Sequence, residues 1–155
     1  MNAENISDMV GLDNLWKLEN LYLAGQPTLE NIKMLHEKGL RKIINIRGQA
    51  ESDFSDQEKL CSELNIEYHH IPLLMDKQVQ AESCKKINQL VDSETVTMIH
   101  CMSANRVGAW LITYLVENQK MGIEESAKVA LESCLKSQGF CDEAVVISNI
   151  LKSAN

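Results

Sequence analysis

The sequence predicts an α/β fold with a mostly parallel sheet of four to five strands, flanked by helices. Two short apolar segments rich in β-branched residues, 42–46 (KIINI) and 95–100 (TVTMIH), have the pattern of strands buried on both faces. Helical segments with one apolar face alternate with the strands, which is typical of a parallel sheet. The chain has 155 residues, 45% of them hydrophobic, enough to fill one substantial core. We therefore expect residues 1–155 to form a single domain.

The first part of the chain predicts a strand, a helix and a second strand. Residues 17–23 (KLENLYL) alternate polar and apolar side chains and stop at Gly25-Gln26-Pro27, so they predict one strand followed by a turn. Thr28 is a suitable N-cap for the helix that follows, and Gly39 is a suitable C-terminal cap. The buried strand at 42–46 comes next.

The remainder of the chain continues the alternation. The predicted elements are a helix at 55–65, a strand at 67–73, a helix at 78–91, a strand at 95–100, a helix from 107 onward, and helices near 123–135 and 142–152. Parallel sheets of this kind bind ligands at the carboxyl ends of their strands. Cys101 directly follows such an end.

The charge balance argues against several partners. Lys and Arg number 15 against 22 Asp and Glu, which gives a net charge of -7 and a pI of about 5.1. A field of this sign repels nucleic acid and anionic membranes, so any anion site must be built by local geometry. No apolar run approaches the roughly 20 residues that span a bilayer, and residues 1–10 lack the pattern of a signal peptide. We expect a cytoplasmic protein without membrane contact.

The five cysteines are odd in number and scattered, without the spacing of a disulfide framework or a C-x-x-C zinc motif. This spacing favours a reducing compartment. Cys61, Cys84, Cys134 and Cys141 lie at helical positions and are interpreted as core residues.

Cys101 opens a short loop between a buried strand and a helix. The N–H groups of such a loop and of the first helical turn point to a common centre, where an oxyanion would bind. Arg106 can add a planar, two-pronged contact to that anion, and the same field favours the thiolate form of Cys101. The predicted anion-binding residues are Met102, Ser103, Ala104, Asn105 and Arg106.

This loop resembles the Cys-phosphatase and rhodanese loops, in which His-Cys and a later Arg connect a central strand to a helix. Together with the Gly25-Gln26-Pro27 turn, the KIINIR segment with Glu51 beyond it, and the EYHHIP segment at 67–72, the chain is similar to a bacterial phosphatase-like family. That family is related to dual-specificity phosphatases and is often fused to β-lactamase-like hydrolases. The similarity covers roughly residues 18–115 and implies a Cys-phosphatase-like fold.

The resemblance implies roles for individual residues. Cys101 would be the nucleophile, Arg106 would hold the oxyanion, and His100 would orient the loop and favour the thiolate. Asp76 would be the general acid that protonates the leaving oxygen, with a helix N-cap as its alternative role. Arg47 and Glu51 follow a buried strand at its carboxyl end and would support the cleft, with an exposed ion pair as the alternative.

Three features depart from the phosphatase pattern. Four residues separate Cys101 from Arg106, one fewer than in tyrosine and dual-specificity phosphatases and the same number as in rhodaneses. Ala104 stands where glycine is usual, which penalises a positive φ by about 1 kcal/mol. Val107 replaces the usual hydroxyl residue that follows the arginine.

The sequence therefore leaves three functions open. The first is a Cys-dependent phosphatase that hydrolyses a phosphomonoester through a phosphocysteine intermediate. The second is a rhodanese-like sulfurtransferase that forms a persulfide on Cys101. The third is an anion-binding module with weak or no turnover. In each case the ligand is a phosphate-bearing substrate or another oxyanion, and we expect no metal and no organic cofactor.

Overall fold

A six-stranded sheet with helices on both faces organises the chain in a computed structural model, which describes residues 1–154. The main-sheet strands are β1 (Glu4–Asn5), β2 (Leu15–Leu18), β3 (Leu21–Ala24), β4 (Lys42–Asn45), β5 (Glu67–His70) and β8 (Thr97–His100), and β6 (Leu74–Met75) pairs with β7 (Gln78–Val79) in a separate hairpin. The helices are α1 (Leu29–Glu37), α2 (Ser55–Glu63), α3 (Ala81–Leu90), α4 (Asn105–Glu117), α5 (Ile123–Leu131) and α6 (Gln138–Ala154), and a 3-10 turn covers Ser7–Met9. The sheet order is β1-β2-β3-β8-β4-β5.

The predicted fold class is confirmed, with one more strand than expected. Strands β3, β8, β4 and β5 are parallel, whereas β1 and β2 add antiparallel pairs at one edge. The additional strand is β1, which is only two residues long. A pair of residues is too short to produce a period-two pattern in the sequence.

The prediction of one strand at residues 17–23 is wrong. The chain reverses at Glu19 and Asn20, so that β2 and β3 form a hairpin in which Leu18 pairs with Leu21. Glu19 has a left-handed backbone with φ of 52°. The turn was not predicted because it contains neither Gly nor Pro, the strongest turn signals, and Asn20 stands in an otherwise alternating segment.

The start of the predicted helix at 78–91 is also wrong. Residues 74–79 form the β6–β7 hairpin, and α3 begins only at Ala81. Asp76 and Lys77 make the hairpin turn with φ angles of 50° and 65°. Asp76 is therefore not a helix N-cap, and that alternative is excluded. By contrast, Thr28 caps α1 as predicted, in a capping box with Asn31.

Two apolar layers cover the faces of the sheet. Alternate residues of each strand point to opposite faces, so Ile43 packs under α1 and α2 while Ile44 packs under the larger layer of α3, α4, α5 and α6. The four residues of β4 and the four of β8 are all buried. Both strands thus match the pattern expected for the centre of a parallel sheet.

Helix α4 is the central helix of the larger layer, with every residue from Val107 to Val116 buried. The chain between α5 and α6 crosses it so closely that a Cβ atom on Gly108 would lie 2.7 Å from the Cα atom of Leu135. This approach fixes the position of the N-terminal turn of α4. None of the helices among residues 1–154 is long and apolar enough to cross a membrane.

We predict that Gly108→Ala lowers the free energy of unfolding by about 1–3 kcal/mol, because the added methyl group overpacks against backbone atoms of residue 135. Urea denaturation followed by circular dichroism measures the change. Gly139→Ala in α6 is the matched control, since the nearest atom to its added Cβ is the Ser137 hydroxyl at 3.7 Å. The control should be neutral or more stable, and equal losses in the two variants would contradict the proposed steric cause.

Candidate active site

The carboxyl ends of three neighbouring strands meet at Cys101. His100 ends β8 in register with Ala24 of β3 and Asn45 of β4. The Cys101 N–H group donates to the Ala24 carbonyl oxygen at 3.1 Å, and the Ile46 N–H group donates to the His100 carbonyl oxygen at 3.0 Å. The ladder therefore continues one residue beyond β8 and holds Cys101 at the sheet edge, with 1% of its surface exposed.

The Gly25-Gln26 turn lies directly against the loop that follows Cys101. The Gln26 N–H group donates to the Met102 carbonyl oxygen at 3.0 Å, and Gly25 forms an isolated bridge with Ser103. A Cβ atom on Gly25 would lie 2.8 Å from the Met102 oxygen, a distance that real side chains do not adopt. Glycine is therefore required at position 25 by close approach.

Ala104 makes the turn from the loop into α4. Its backbone is left-handed, with φ of 72° and ψ of -4°, and its carbonyl oxygen accepts the first α4 hydrogen bond from Gly108 at 3.0 Å. An alanine in this conformation costs about 1 kcal/mol relative to glycine. The departure from glycine thus leaves the turn in place, with its methyl group fully buried in the core.

The Asn105 side chain contacts the chain between α5 and α6. Its Oδ1 atom accepts hydrogen bonds from the Lys136 N–H group at 2.7 Å and the Ser137 N–H group at 3.0 Å. These two bonds hold the Asn105 side chain, at the start of α4, against the segment between α5 and α6. This contact was not predicted from the sequence.

Arg106 is held by a two-pronged contact to Glu51. Its two terminal nitrogens lie 2.6 and 2.9 Å from the two carboxylate oxygens. The bond to Glu51 is the main cause of the raised pKa of Arg106, and the nearby negative charge of Cys101 contributes to the same direction. A guanidinium has five N–H groups, so this contact leaves three of them for an oxyanion beside Cys101.

Glu51 also binds Arg47, so one carboxylate connects two cations. Arg47 Nε lies 3.2 Å from the Glu51 carboxylate, and the Gly48 N–H group donates to the same carboxylate. The contact to Arg106, together with these bonds, lowers the pKa of Glu51 to about 2. Arg47 and Glu51 form the ion pair of the alternative interpretation, with Arg47 8% exposed and Glu51 at the surface, and Glu51 also binds Arg106. Both residues lie at the cleft.

His100 is fully buried and neutral. Burial is the main cause that lowers its pKa to about 3. Its Nε2 atom lies 2.8 Å from Nε2 of Gln57, and its Nδ1 atom lies 3.3 Å from the Cys101 carbonyl oxygen. His100 thus contacts the loop that follows β8 through the carbonyl group of Cys101.

Gln57 was missed in the sequence, although the helix pattern contains a signal for it. It lies on the buried side of α2 with Leu60 and Cys61, and only 5% of its surface is exposed. A polar residue at an inward-facing helical position needs a buried hydrogen-bond partner. The partner, His100, is 43 residues away, which no local pattern reveals.

Asp76 lies at the tip of the β6–β7 hairpin. The hairpin leaves the same sheet edge as the site, because the Leu73 N–H group donates to the Ile46 carbonyl oxygen at 3.1 Å. A hydrogen bond of 2.8 Å from the Val79 N–H group to the Glu143 carboxylate fixes the hairpin against α6. The Asp76 side chain is exposed at this tip.

A cavity of about 500 Å³ opens beside the segment that carries Glu51. A smaller depression of about 240 Å³ shares Ser52, Asp53 and Phe54 with it and is also lined by Gln26, Arg47 and Gln57. The larger cavity is lined by Gln49, Ser52, Asp53, Phe54, Ser55, Glu58, Tyr68 and His70. The smaller depression adjoins the Cys101 loop through Gln26, whose N–H group binds the Met102 carbonyl oxygen.

The other four cysteines match their interpretation as core residues. All four are buried and free. Burial is the main cause that raises the pKa of Cys61 to about 11 and that of Cys84 and Cys134 to about 12, and it also raises the pKa of Cys141. These thiols remain protonated and unreactive near neutral pH.

The chain has the same fold as several solved structures that are described as phosphatases. A protein from Shewanella putrefaciens CN-32 described as "Putative phosphatase (DUF442)" is 17% identical, with a TM-score of 0.76 over 94% of this chain and 97% of that chain. The core catalytic domain of the PP-IP phosphatase SIW14 from S. cerevisiae is 15% identical, with a TM-score of 0.72 over 93% and 94% of the two chains. TpbA from P. aeruginosa is 16% identical, with a TM-score of 0.70 over 98% and 94%.

The resemblance inferred from the sequence is therefore confirmed at the level of the fold. No family model matches the sequence, and no curated protein is similar enough to count as a match. The identities of 15–17% make the three-dimensional arrangement, rather than the sequence, the basis of the comparison.

We predict that Glu51→Gln removes a pH-dependent part of the stability. The pKa of Glu51 is about 2 in the folded protein, against an ordinary value of 4.5. Its contribution is therefore fully present above pH 4.5 and is lost as the pH falls toward 2. Urea denaturation should show a less stable variant at pH 6 and a difference that narrows in acid. A constant difference from pH 6 to 3 would contradict the assignment.

Proposed function

We propose that the chain is a Cys-dependent phosphatase that hydrolyses phosphomonoesters through a phosphocysteine intermediate. The observation that carries this proposal is the position of Arg106, which Glu51 holds in the first turn of the helix that follows the Cys101 loop. Cys101 opens a strand-to-helix loop whose N–H groups can surround a phosphoryl group. Known proteins with this fold and phosphatase names support the assignment.

The first step is attack of the Cys101 thiolate on phosphorus. A sulfur–phosphorus bond forms as the bond from phosphorus to the leaving oxygen breaks, and the Asp76 carboxyl group donates its proton to that oxygen. Arg106 and the N–H groups of the loop stabilise the charge on the three equatorial oxygens.

The second step is hydrolysis of the phosphocysteine. Water attacks phosphorus, and the Asp76 carboxylate accepts its proton. The sulfur–phosphorus bond breaks, which regenerates the thiolate and releases inorganic phosphate. Neutral His100 acts by orienting the loop rather than by transferring a proton, since its pKa is about 3. The absence of a hydroxyl group at Val107 predicts that this step is slow.

We place the organic part of the substrate in the cavity lined by Asp53, Glu58, Phe54 and His70. The two carboxylates of this lining disfavour a second phosphate group on the leaving group, because like charges repel. The substrate is therefore a monophosphate ester. The five free cysteines support a reducing, cytoplasmic location.

We predict that Cys101→Ser lowers kcat for p-nitrophenyl phosphate by more than about 10³-fold, because a serine hydroxyl group is a far weaker nucleophile than a cysteine thiolate. Release of nitrophenolate measures the rate, and vanadate should inhibit the wild type. Cys61→Ser is the matched control, since Cys61 packs on the opposite face of the sheet. If Cys101→Ser still hydrolyses the ester at the wild-type rate, the phosphatase proposal is contradicted.

We predict that Asp76→Asn lowers kcat in proportion to the basicity of the leaving group. Phenyl phosphate should lose about 10²-fold, within the range of general acid catalysis, and p-nitrophenyl phosphate should lose much less because its leaving oxygen needs little protonation. Glu94→Gln, which changes an exposed carboxylate before the amino end of β8, at the opposite edge of the sheet, provides the control. Equal losses on the two esters would exclude Asp76 as the acid.

Sulfur transfer is the second candidate function, favoured by the four residues between Cys101 and Arg106. In that reaction the Cys101 thiolate attacks the outer sulfur of thiosulfate, sulfite leaves, and the persulfide passes its sulfur to cyanide. Thiocyanate formation without phosphate release would assign the chain to this class. If the protein forms neither thiocyanate nor free phosphate but still binds phosphate, its function would be anion binding alone.

A further inference from the structure

An unbroken chain of hydrogen bonds connects Arg47 to the carbonyl group of Cys101. Arg47 Nη1 donates to Gln26 Oε1 at 2.9 Å, and Gln26 Nε2 donates to Gln57 Oε1 at 2.8 Å. Gln57 Nε2 then lies 2.8 Å from His100 Nε2, and His100 Nδ1 lies 3.3 Å from the Cys101 oxygen. Three of the linking residues are almost fully shielded from water, at 8% exposed surface for Arg47, 5% for Gln57 and 0% for His100.

The chemistry of Arg47 sets the direction of every bond in this chain. A guanidinium can only donate, so it faces the amide oxygen of Gln26 and turns the amide nitrogen toward Gln57. That nitrogen needs an acceptor, so Gln57 presents its oxygen to Gln26 and its own nitrogen to His100. His100 Nε2 must then be the acceptor, which places the ring proton on Nδ1.

The tautomer of His100 determines how the first peptide group of the loop is oriented. A proton on Nδ1 donates to the Cys101 carbonyl oxygen, whereas a lone pair on Nδ1 would repel it. In a trans peptide the C=O and N–H groups point in opposite directions. A bond that holds the Cys101 oxygen on the His100 side therefore turns the Met102 N–H group to the other side, where the anion would bind.

We propose that Gln57, aligned by Gln26, is a positioning residue that selects the Nδ1–H tautomer of His100 and so orients the first N–H group of the anion-binding loop. Its importance for turnover rests on the proposed phosphatase function. The tautomer itself can be measured in the resting protein, independently of any reaction. Gln57 touches neither the nucleophile nor the anion.

The test is Gln26→Glu, a nearly isosteric change. Residue 26 is hydrogen-bonded to Gln57, which in turn is hydrogen-bonded to His100. A carboxylate at position 26 accepts from both Arg47 and Gln57. The Gln57 amide must then reverse and present its oxygen to His100, which forces the proton to Nε2. ¹⁵N NMR of the histidine rings, with His100→Asn for assignment, distinguishes the protonated nitrogen from the unprotonated one.

We expect the wild type to carry the proton on Nδ1 and Gln26→Glu to carry it on Nε2. The variant should lower kcat for p-nitrophenyl phosphate by up to about tenfold, the effect of one lost hydrogen bond. Gln89→Glu, which adds the same charge on the exposed side of α3, should change neither the tautomer nor kcat. A folded Gln26→Glu protein that keeps Nδ1–H would overturn the proposal.

Gln57→Glu provides a second variant in case Gln26→Glu does not fold. Its carboxylate accepts from Gln26 and also requires a proton on His100 Nε2, so the same change in the NMR signal is expected. An unchanged tautomer in this variant also contradicts the proposal. If both variants switch the tautomer but the wild type hydrolyses no phosphate ester, the phosphatase proposal fails while the hydrogen-bond chain stands.

Discussion

The site depends on how the carbonyl groups of the Cys101 loop are held from outside. His100 contacts the Cys101 oxygen at 3.3 Å, and the Gln26 N–H group binds the Met102 oxygen at 3.0 Å. Because each peptide group is planar, fixing these oxygens turns the N–H groups of Met102 and Ser103 to the opposite side. Donors fixed before the reaction stabilise developing charge at the lowest reorganisation cost. The close approach of Gly25 to the Met102 oxygen and the left-handed backbone of Ala104 belong to the same loop conformation.

The second constraint is charge. The chain carries a net charge of -7, so the site concentrates its cations locally. Glu51 binds Arg47 and Arg106 together, which offsets their mutual repulsion and aligns Arg106 with Cys101. Arg47 also aligns the half-buried amide of Gln26 and, through it, the buried amide of Gln57. One carboxylate thus connects Arg106 with Arg47, and Arg47 connects this cluster with the amides behind the loop.

The parts of the site that are continuous in sequence could be predicted, and the parts that depend on distant contacts could not. The placement of Cys101 and Arg106 between a strand and a helix was predicted because these elements follow one another within a short segment. Gln57 reaches His100 across 43 residues, and Asn105 reaches Lys136 across 31. The hairpins at Glu19 and Asp76 were missed because non-glycine residues make their left-handed turns. Asp76 therefore changed from a possible helix cap to a residue at a hairpin tip.

The phosphocysteine intermediate tests the account most directly. Wild-type protein mixed with a fast-reacting aryl phosphate and quenched in acid within milliseconds should carry one phosphoryl group on the peptide that contains Cys101, detected by mass spectrometry. The adduct should disappear as the substrate is exhausted and should be absent in Cys101→Ser. Phosphate release without any adduct on Cys101, or an adduct on another residue, would contradict the account.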